Sequence, residues 1–221
     1  MCYAAMQAQS AKSHLGLLGY YIQDFEGERM VYPLQPMLFG RIHPQSGQRE
    51  ALLGQYGLLP PWVDDAKGGP KFGRFCYNAR SESIFEKPSF RDAILRQRAL
   101  IPVEAFFEFP DNEKPLRHRY KVRRQDNEAF FFAGLWSYHP GYKAFSCSVV
   151  TTEPMALFKG THSRSPVILN GAQAHAWMDP AMTEPKKIAA LMKTAASELF
   201  VLDVEEWAGK DKGGQEELPL F

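Results

Sequence analysis

Residues 99–109 read ALIPVEAFFEF, and three stretches of the same character follow: RHRYKVRR (117–124), AFFFAGLW (129–136) and KAFSCSVVTT (143–152). All are rich in aromatic or β-branched side chains, which suit a pleated surface, and Pro-Asp-Asn and His-Pro-Gly between them read as turns. Four strands are therefore expected here. Upstream, between 28 and 59, the short apolar runs MVYPL, MLFGRI and ALLGQYGLL are broken by Gly and Pro at strand-like intervals. Helical patterns lie outside this centre, at 11–20, 88–98, 171–178 and 184–196, with one more strand expected at 199–204. In 88–98, Pro88 suits a first turn and Phe90, Ala93, Ile94 and Leu95 share one face. Residues 63–74 (VDDAKGGPKFGR) read as a loop. Strands massed in the middle with helices at the periphery predict an α+β fold rather than alternating βαβ units.

Composition narrows the function. The chain has 221 residues, 45% hydrophobic and 23% charged, with 26 Lys and Arg against 25 Asp and Glu. A net charge of +1 excludes a polybasic coat for nucleic acid or membrane. An aromatic content of 13% argues against disorder. No apolar run reaches the ~18 residues of a transmembrane helix, and the start, MCYAAMQAQSAKSH, lacks a secretory pattern. Three cysteines cannot all pair, so reduced thiols in a cytoplasmic protein are expected. Residues 1–208 are read as one domain. GKDKGG (209–214) reads as a linker, and QEELPLF (215–221) ends the chain.

A few positions carry chemistry. If Met1 is removed, Cys2 presents an α-amine and a thiol on adjacent carbons; otherwise it is an ordinary second residue that happens to be cysteine. The amine titrates near ~7.7–8, so part of it is neutral at physiological pH. Such a 1,2-aminothiol forms an imine with an aldehyde and then closes a five-membered thiazolidine. An internal cysteine cannot, because its nitrogen is an amide. Cys76 and Cys147 lie in apolar contexts and read as core thiols. With no close cysteine pair, neither a metal site nor a cofactor is expected. Glu108, inside Phe106-Phe107-Glu108-Phe109, is either an exposed charge on a half-buried strand or a buried carboxyl raised into the acid–base range. His162 precedes the apolar run Val167-Ile168-Leu169, a suitable place for a proton shuttle. Asn78 and Arg80, in Asn78-Ala79-Arg80-Ser81-Glu82, could serve sugar and phosphate, or Arg80 and Glu82 could form a local ion pair. The five basic residues of 117–124 could line a nucleic-acid channel, although a solvated outer face is the favoured reading of such a charge run.

In order along the chain, these pieces resemble the SRAP family, the SOS response-associated peptidases that crosslink to abasic sites. Met1-Cys2 matches the family's start, and Tyr56-Gly57-Leu58-Leu59-Pro60-Pro61-Trp62 is similar to its Trp-Gly-Leu-x-Pro-x-Trp. Asn78-Ala79-Arg80-Ser81-Glu82 resembles Asn-Ala-Arg-x-Glu, and Ile101-Pro102-Val103-Glu104-Ala105-Phe106-Phe107-Glu108-Phe109 resembles Ile-Pro-Ala-x-Gly-Phe-Tyr-Glu-Trp. His162-Ser163-Arg164-Ser165-Pro166-Val167-Ile168-Leu169 resembles His-x-Arg-Met-Pro-Val-Ile-Leu. Departures occur at Tyr3-Ala4, where the family has Gly-Arg, at Ala105 for Gly, and at Phe109 for Trp. The resemblance implies a curved, barrel-like sheet with peripheral helices, and covalent capture of abasic sites in single-stranded DNA by Cys2. It also implies roles: Asn78 orients the sugar or Cys2, Glu108 deprotonates the amine, and His162 moves protons. Arg80 and Arg164 would hold phosphates, and Trp62 would stack on a base. Nucleoid association while acting follows from that role.

The tail Gln215-Glu216-Glu217-Leu218-Pro219-Leu220-Phe221 resembles the bacterial sliding-clamp-binding peptide, with Gln215, Leu218, Leu220 and Phe221 as its anchors, or else it packs on the core. Two competing functions remain open from sequence. One is a thiol or N-terminal-nucleophile hydrolase built from Cys2, Glu108 and His162. The other is a non-covalent single-strand binder using Trp62, Arg80 and the 117–124 stripe.

Overall fold

The computed structural model describes residues 3–7, 9–22 and 29–207. The first elements are β1 (Ala4–Gln7), α1 (Gln9–Leu17), β2 (Tyr21–Ile22), β3 (Arg29–Val31), β4 (Pro36–Ile42) and β5 (Arg49–Tyr56). Next come β6 (Asn78–Arg80), α2 (Arg91–Arg96), β7 (Arg98–Val103), β8 (Ala105–Glu108), β9 (His118–Arg124), β10 (Phe130–His139) and β11 (Ala144–Thr152). The chain continues through β12 (Ser165–Pro166), β13 (Ile168–Leu169), α3 (Gly171–Met178), α4 (Pro185–Leu191) and β14 (Phe200–Glu206). Three of the four central strands (β9, β10 and β11) and the peripheral helices stand where the sequence puts them. α2 and α4 are shorter than expected, and 63–74 is not plain loop but two 3-10 helices, Asp65–Lys67 and Gly69–Phe75.

Strands β11, β10, β7, β4 and β5 pair in that order, and β5 returns to β11 in parallel (Gln55 opposite Ser146, Tyr56 opposite Cys147), closing a five-stranded barrel. Closure removes the sheet edges that would otherwise recruit other chains. A second, antiparallel sheet runs β14-β9-β8-β1-β3. Alternation along the barrel strands serves two cores. Met37, Phe39, Ile101, Phe132 and Val149 join Phe106, Val122 and Phe200 of the second sheet. Leu38, Leu100, Ala133 and Val150 face the other way, onto Leu15 of α1, Ile94 of α2 and Trp177 of α3. Both faces are covered, which explains why these strands read as continuous apolar runs.

The stretch 99–109, expected as one strand, is two strands in different sheets, with the chain crossing at Glu104, whose N–H donates to the Met6 carbonyl. Pro102 explains the break. The register pairing Gly40 with Leu100 puts Leu38 opposite Pro102, which has no N–H to offer. The buried Gln7 side chain takes its place: Nε2 donates to the Leu38 and Pro102 carbonyls at 2.9 Å each, and Leu38 N–H donates to Oε1 at 2.9 Å. β1 is thereby stitched to the barrel. β8 pairs along β1, Ala4 opposite Phe107, which holds the N-terminal strand beside Glu108.

Candidate active site

Glu108 ends β8 with 1% of its surface exposed, so it is not a surface charge. His162 follows a 3-10 turn (Ala156–Phe158) that packs its ring against Phe158 at 5.6 Å, and its Nε2 stands 3.3 Å from Glu108 Oε2. The imidazole tautomer follows from its other side. Nδ1 lies 2.7 Å from the Arg164 carbonyl oxygen, which only accepts, so Nδ1 carries a hydrogen and a neutral ring turns its Nε2 lone pair toward Glu108. Burial pushes the Glu108 carboxyl well above the usual carboxylate range, and the Asp111 carboxylate adds to this. Burial pushes the His162 imidazole down. Both shifts favour a proton on Glu108 and a neutral His162, whose Nε2 stands within reach of that carboxyl.

Asp111 completes the group and was not singled out from sequence, where it reads only as part of the Pro-Asp-Asn turn. Its Oδ1 lies 3.6 Å from His162 Nε2, and its Oδ2 accepts from Ser163 N–H at 2.8 Å. Nothing in local sequence marks it, because the contact is made across fifty residues by the loop pairing of Asp111 N–H with the Thr161 carbonyl at 2.9 Å. Glu108, Asp111 and His162 line a cavity of about 310 Å³ together with Tyr3 and Tyr77.

Asn78 lies on β6, buried, opposite Val149. Arg80, one turn of the pleat further along, is exposed. Glu82 does not pair with Arg80 as a local ion pair would require. It takes the Arg164 guanidinium in a fork, Nη1 to Oε1 at 2.7 Å and Nη2 to Oε2 at 2.9 Å, while Nη2 also reaches the Thr151 carbonyl at 2.8 Å. The same arginine thus orients His162 through its carbonyl and holds a carboxylate in the geometry suited to a phosphate. β14 lays acids along part of the 117–124 stripe: Arg119 meets Glu205 at 2.7 Å and Arg123 meets Asp203 at 3.1 Å, so two of its five bases are paired within the sheet.

Trp62 is 45% exposed and starts an aromatic row with Phe72 (5.5 Å) and Phe75 (6.3 Å from Phe72), the last 67% exposed beneath the Arg74 guanidinium. This segment is held stiffly. Gly57 has φ of 137°, and a Cβ there would stand 2.5 Å from the Gly73 carbonyl oxygen, so the glycine of the Tyr-Gly-Leu motif is what lets the loop close onto the barrel. His139 Nε2 to the Val63 carbonyl (2.7 Å) and Tyr142 hydroxyl donating to Asp65 (2.5 Å) tie the loop from the other side.

Cys2 lies outside the described residues, as do Gln215, Leu218, Leu220 and Phe221 of the tail. Tyr3, bonded to Cys2, is described. Its N–H donates to the Phe107 carbonyl at 3.4 Å and its ring packs edge-on against Phe109 at 5.2 Å and Tyr32 at 5.7 Å. Two of the departures from the family pattern, Tyr3 and Phe109, therefore compensate each other by direct contact. Cys76 and Cys147 are buried core thiols, both pushed up by burial. Among the described residues no helix is long and apolar enough to cross a membrane.

Fold and site together define an α+β barrel protein with a buried carboxyl–imidazole pair lining a cavity. The sequence matches the model of the SOS response associated peptidase (SRAP) family over residues 2–210, and the chain belongs to that family. It is 34% identical over 172 residues to abasic site processing protein YoaM of Bacillus subtilis, covering 76% of this chain and 73% of the relative. It is 31% identical over 168 residues to abasic site processing protein YoqW of the same organism, covering 74% and 73%. A crystal structure of a protein from Bacteroides thetaiotaomicron shares the fold, with a TM-score of 0.78 at 22% identity over 93% of this chain and 91% of that one.

Proposed function

We propose that this protein, once Met1 is removed, captures abasic sites in single-stranded DNA as a covalent thiazolidine at Cys2. One observation carries the reading: the neutral Glu108–His162 pair, 3.3 Å apart, opens on the cavity that Tyr3 lines, and Tyr3 is bonded to Cys2. The relatives' names, which specify abasic site processing, point to the same substrate.

The chemistry runs in balanced steps. The neutral α-amine attacks the aldehyde carbon of the ring-opened sugar, and water leaves with protons managed by Glu108 and His162. The Cys2 sulfur then adds to the imine carbon, its proton passing to the nitrogen. One water is lost overall, and two new bonds, C–N and C–S, replace the carbonyl. An imine left open would acidify the adjacent C–H and expel the 3′ phosphate by β-elimination. Ring closure removes the imine and keeps the strand whole. Arg164 and Arg80 serve the backbone phosphates, a phosphate taking over the fork that Glu82 now occupies, and Asn78 orients the sugar. The hydrolysis that this chemistry requires is release of Met1, which suits the peptidase in the family's name, whether the protein or an aminopeptidase performs it.

Incubation with abasic single-stranded DNA should give a heat-stable, gel-shifted adduct, absent with intact DNA. Turnover of general peptides, or salt-sensitive binding indifferent to the lesion with no adduct, would replace this reading with the hydrolase or the simple binding module. Trp62→Ala should weaken non-covalent binding of single-stranded DNA by ~1–3 kcal/mol, roughly 5- to 150-fold by fluorescence anisotropy, because base stacking on an indole is lost. Its exposure means thermal stability should barely change.

The tail extends the proposal. Residues 209–221 act as a tether separate from the 1–208 domain, and Gln215, Leu218, Leu220 and Phe221 engage a bacterial sliding clamp. Deleting 215–221 should abolish clamp binding in surface plasmon resonance and leave adduct formation intact.

A further inference from the structure

Two carboxylates converge on a single imidazole nitrogen. Glu108 Oε2 and Asp111 Oδ1 stand 3.3 and 3.6 Å from His162 Nε2, and their surroundings differ sharply. The Glu108 and His162 side chains are 1% and 3% exposed, whereas that of Asp111 is 51% exposed. Oδ2 of Asp111 is engaged by Ser163 N–H and its own N–H by the Thr161 carbonyl, which leaves Oδ1 aimed at the ring. We propose that Asp111 is the solvent end of a proton relay, receiving from or returning to His162 Nε2 the proton that Glu108 exchanges with the reacting amine. This rests on the crosslinking function proposed above.

The need for an outlet follows from burial. A Glu108 that holds its proton cannot accept another from the amine, and at 1% exposure it reaches solvent only through the cavity it shares with His162 and Asp111. A relay through the ring is closed, since Nδ1 already donates to the Arg164 carbonyl. The proton must therefore enter and leave by the same nitrogen: from Glu108 Oε2 to Nε2, then from Nε2 to Asp111 Oδ1, then to water, with no net change in the ring. The other groups facing the cavity are spoken for or unsuited. Glu113 is bound to the His118 ring at 2.7 Å, Tyr3 and Tyr77 offer phenol hydroxyls rather than carboxylates, and Lys114 offers an amine. Burial is the largest influence on the Asp111 carboxyl and pushes it up, but the hydrogen bonds from Ser163 and the other lowering contacts together outweigh it and hold the carboxyl below the usual range, so it is ionised.

Asp111→Ala is the test. Single-turnover crosslinking should slow by at least ~10-fold, the scale of one positioned acid–base group being about 10²–10⁴. Added formate, which fits the vacated space, should restore much of the rate and show saturation. Asp111→Asn should slow the reaction without rescue, because the amide fills the space and takes no proton. In the free protein, NMR titration of His162 should move to lower pH in Asp111→Asn, since the carboxylate that favours the imidazolium is gone. An unchanged rate, or a loss that formate does not relieve, would overturn the relay and leave Asp111 as a loop brace. If the wild type forms no adduct at all, the function fails first. The NMR titration then still decides the Asp111–His162 coupling, which an unmoved His162 would refute.

Discussion

Cys2→Ala, prepared with Met1 removed, is expected to yield no heat-stable adduct with abasic single-stranded DNA. The variant keeps the α-amine, so an imine still forms, and borohydride should trap it. Without sulfur the imine persists, and the strand should be cleaved by β-elimination at the lesion. The variant thus separates capture from protection: the wild type gives intact strand in the adduct, the variant gives free cleaved product. Binding to undamaged single strands should be unaltered, because Trp62, Arg80 and Arg164 remain. A stable adduct of wild-type yield from Cys2→Ala would rule out the thiazolidine.

Glu108→Gln is expected to lower the crosslinking rate by ~10²–10⁴-fold while raising stability in neutral and alkaline solution. The two effects share a cause. In the unfolded chain Glu108 titrates near ~4.3, and in the fold burial holds its carboxyl well above that. The folded state therefore binds the extra proton between those values. The stability this group contributes is complete below about pH 4.3 and is lost as pH rises through the folded value. Glutamine has no proton to lose. The variant should match the wild type near ~pH 4 and exceed it increasingly toward alkaline pH, by on the order of 1 kcal/mol or ~2–4 °C in Tm. A variant less stable than wild type at high pH would mean that Glu108 is ionised in the fold and that the neutral-pair description is wrong.

Which of these features could be read in the sequence follows from how local their causes are. The strands around Phe131, Val149 and Leu53 announce themselves through composition and spacing, and α3 begins where Asn170 caps it with Gln173 in return. The closure of β5 onto β11 is invisible locally, since Tyr56 and Cys147 meet across ninety residues. The division of 99–109 turned on Pro102, a residue in plain view whose missing N–H was supplied by the distant Gln7. At the site, Glu108 and His162 were legible as types in context, but their partnership was not, and Asp111 was hidden inside an ordinary turn. The 117–124 stripe shows the opposite difficulty: its bases were conspicuous, while the acids that pair with two of them, Asp203 and Glu205, alternate along a strand eighty residues later.

The most direct measurement is the intact mass of the purified protein before and after incubation with a synthetic abasic oligonucleotide. Before, the chain should lack the mass of one methionine residue. After, it should gain the oligonucleotide less one water, with fragmentation placing the addition on Cys2. A crosslinking preparation that still carries Met1, or one that gains mass at any other residue, would contradict the central claim that a free amine and thiol on one residue take the sugar aldehyde together.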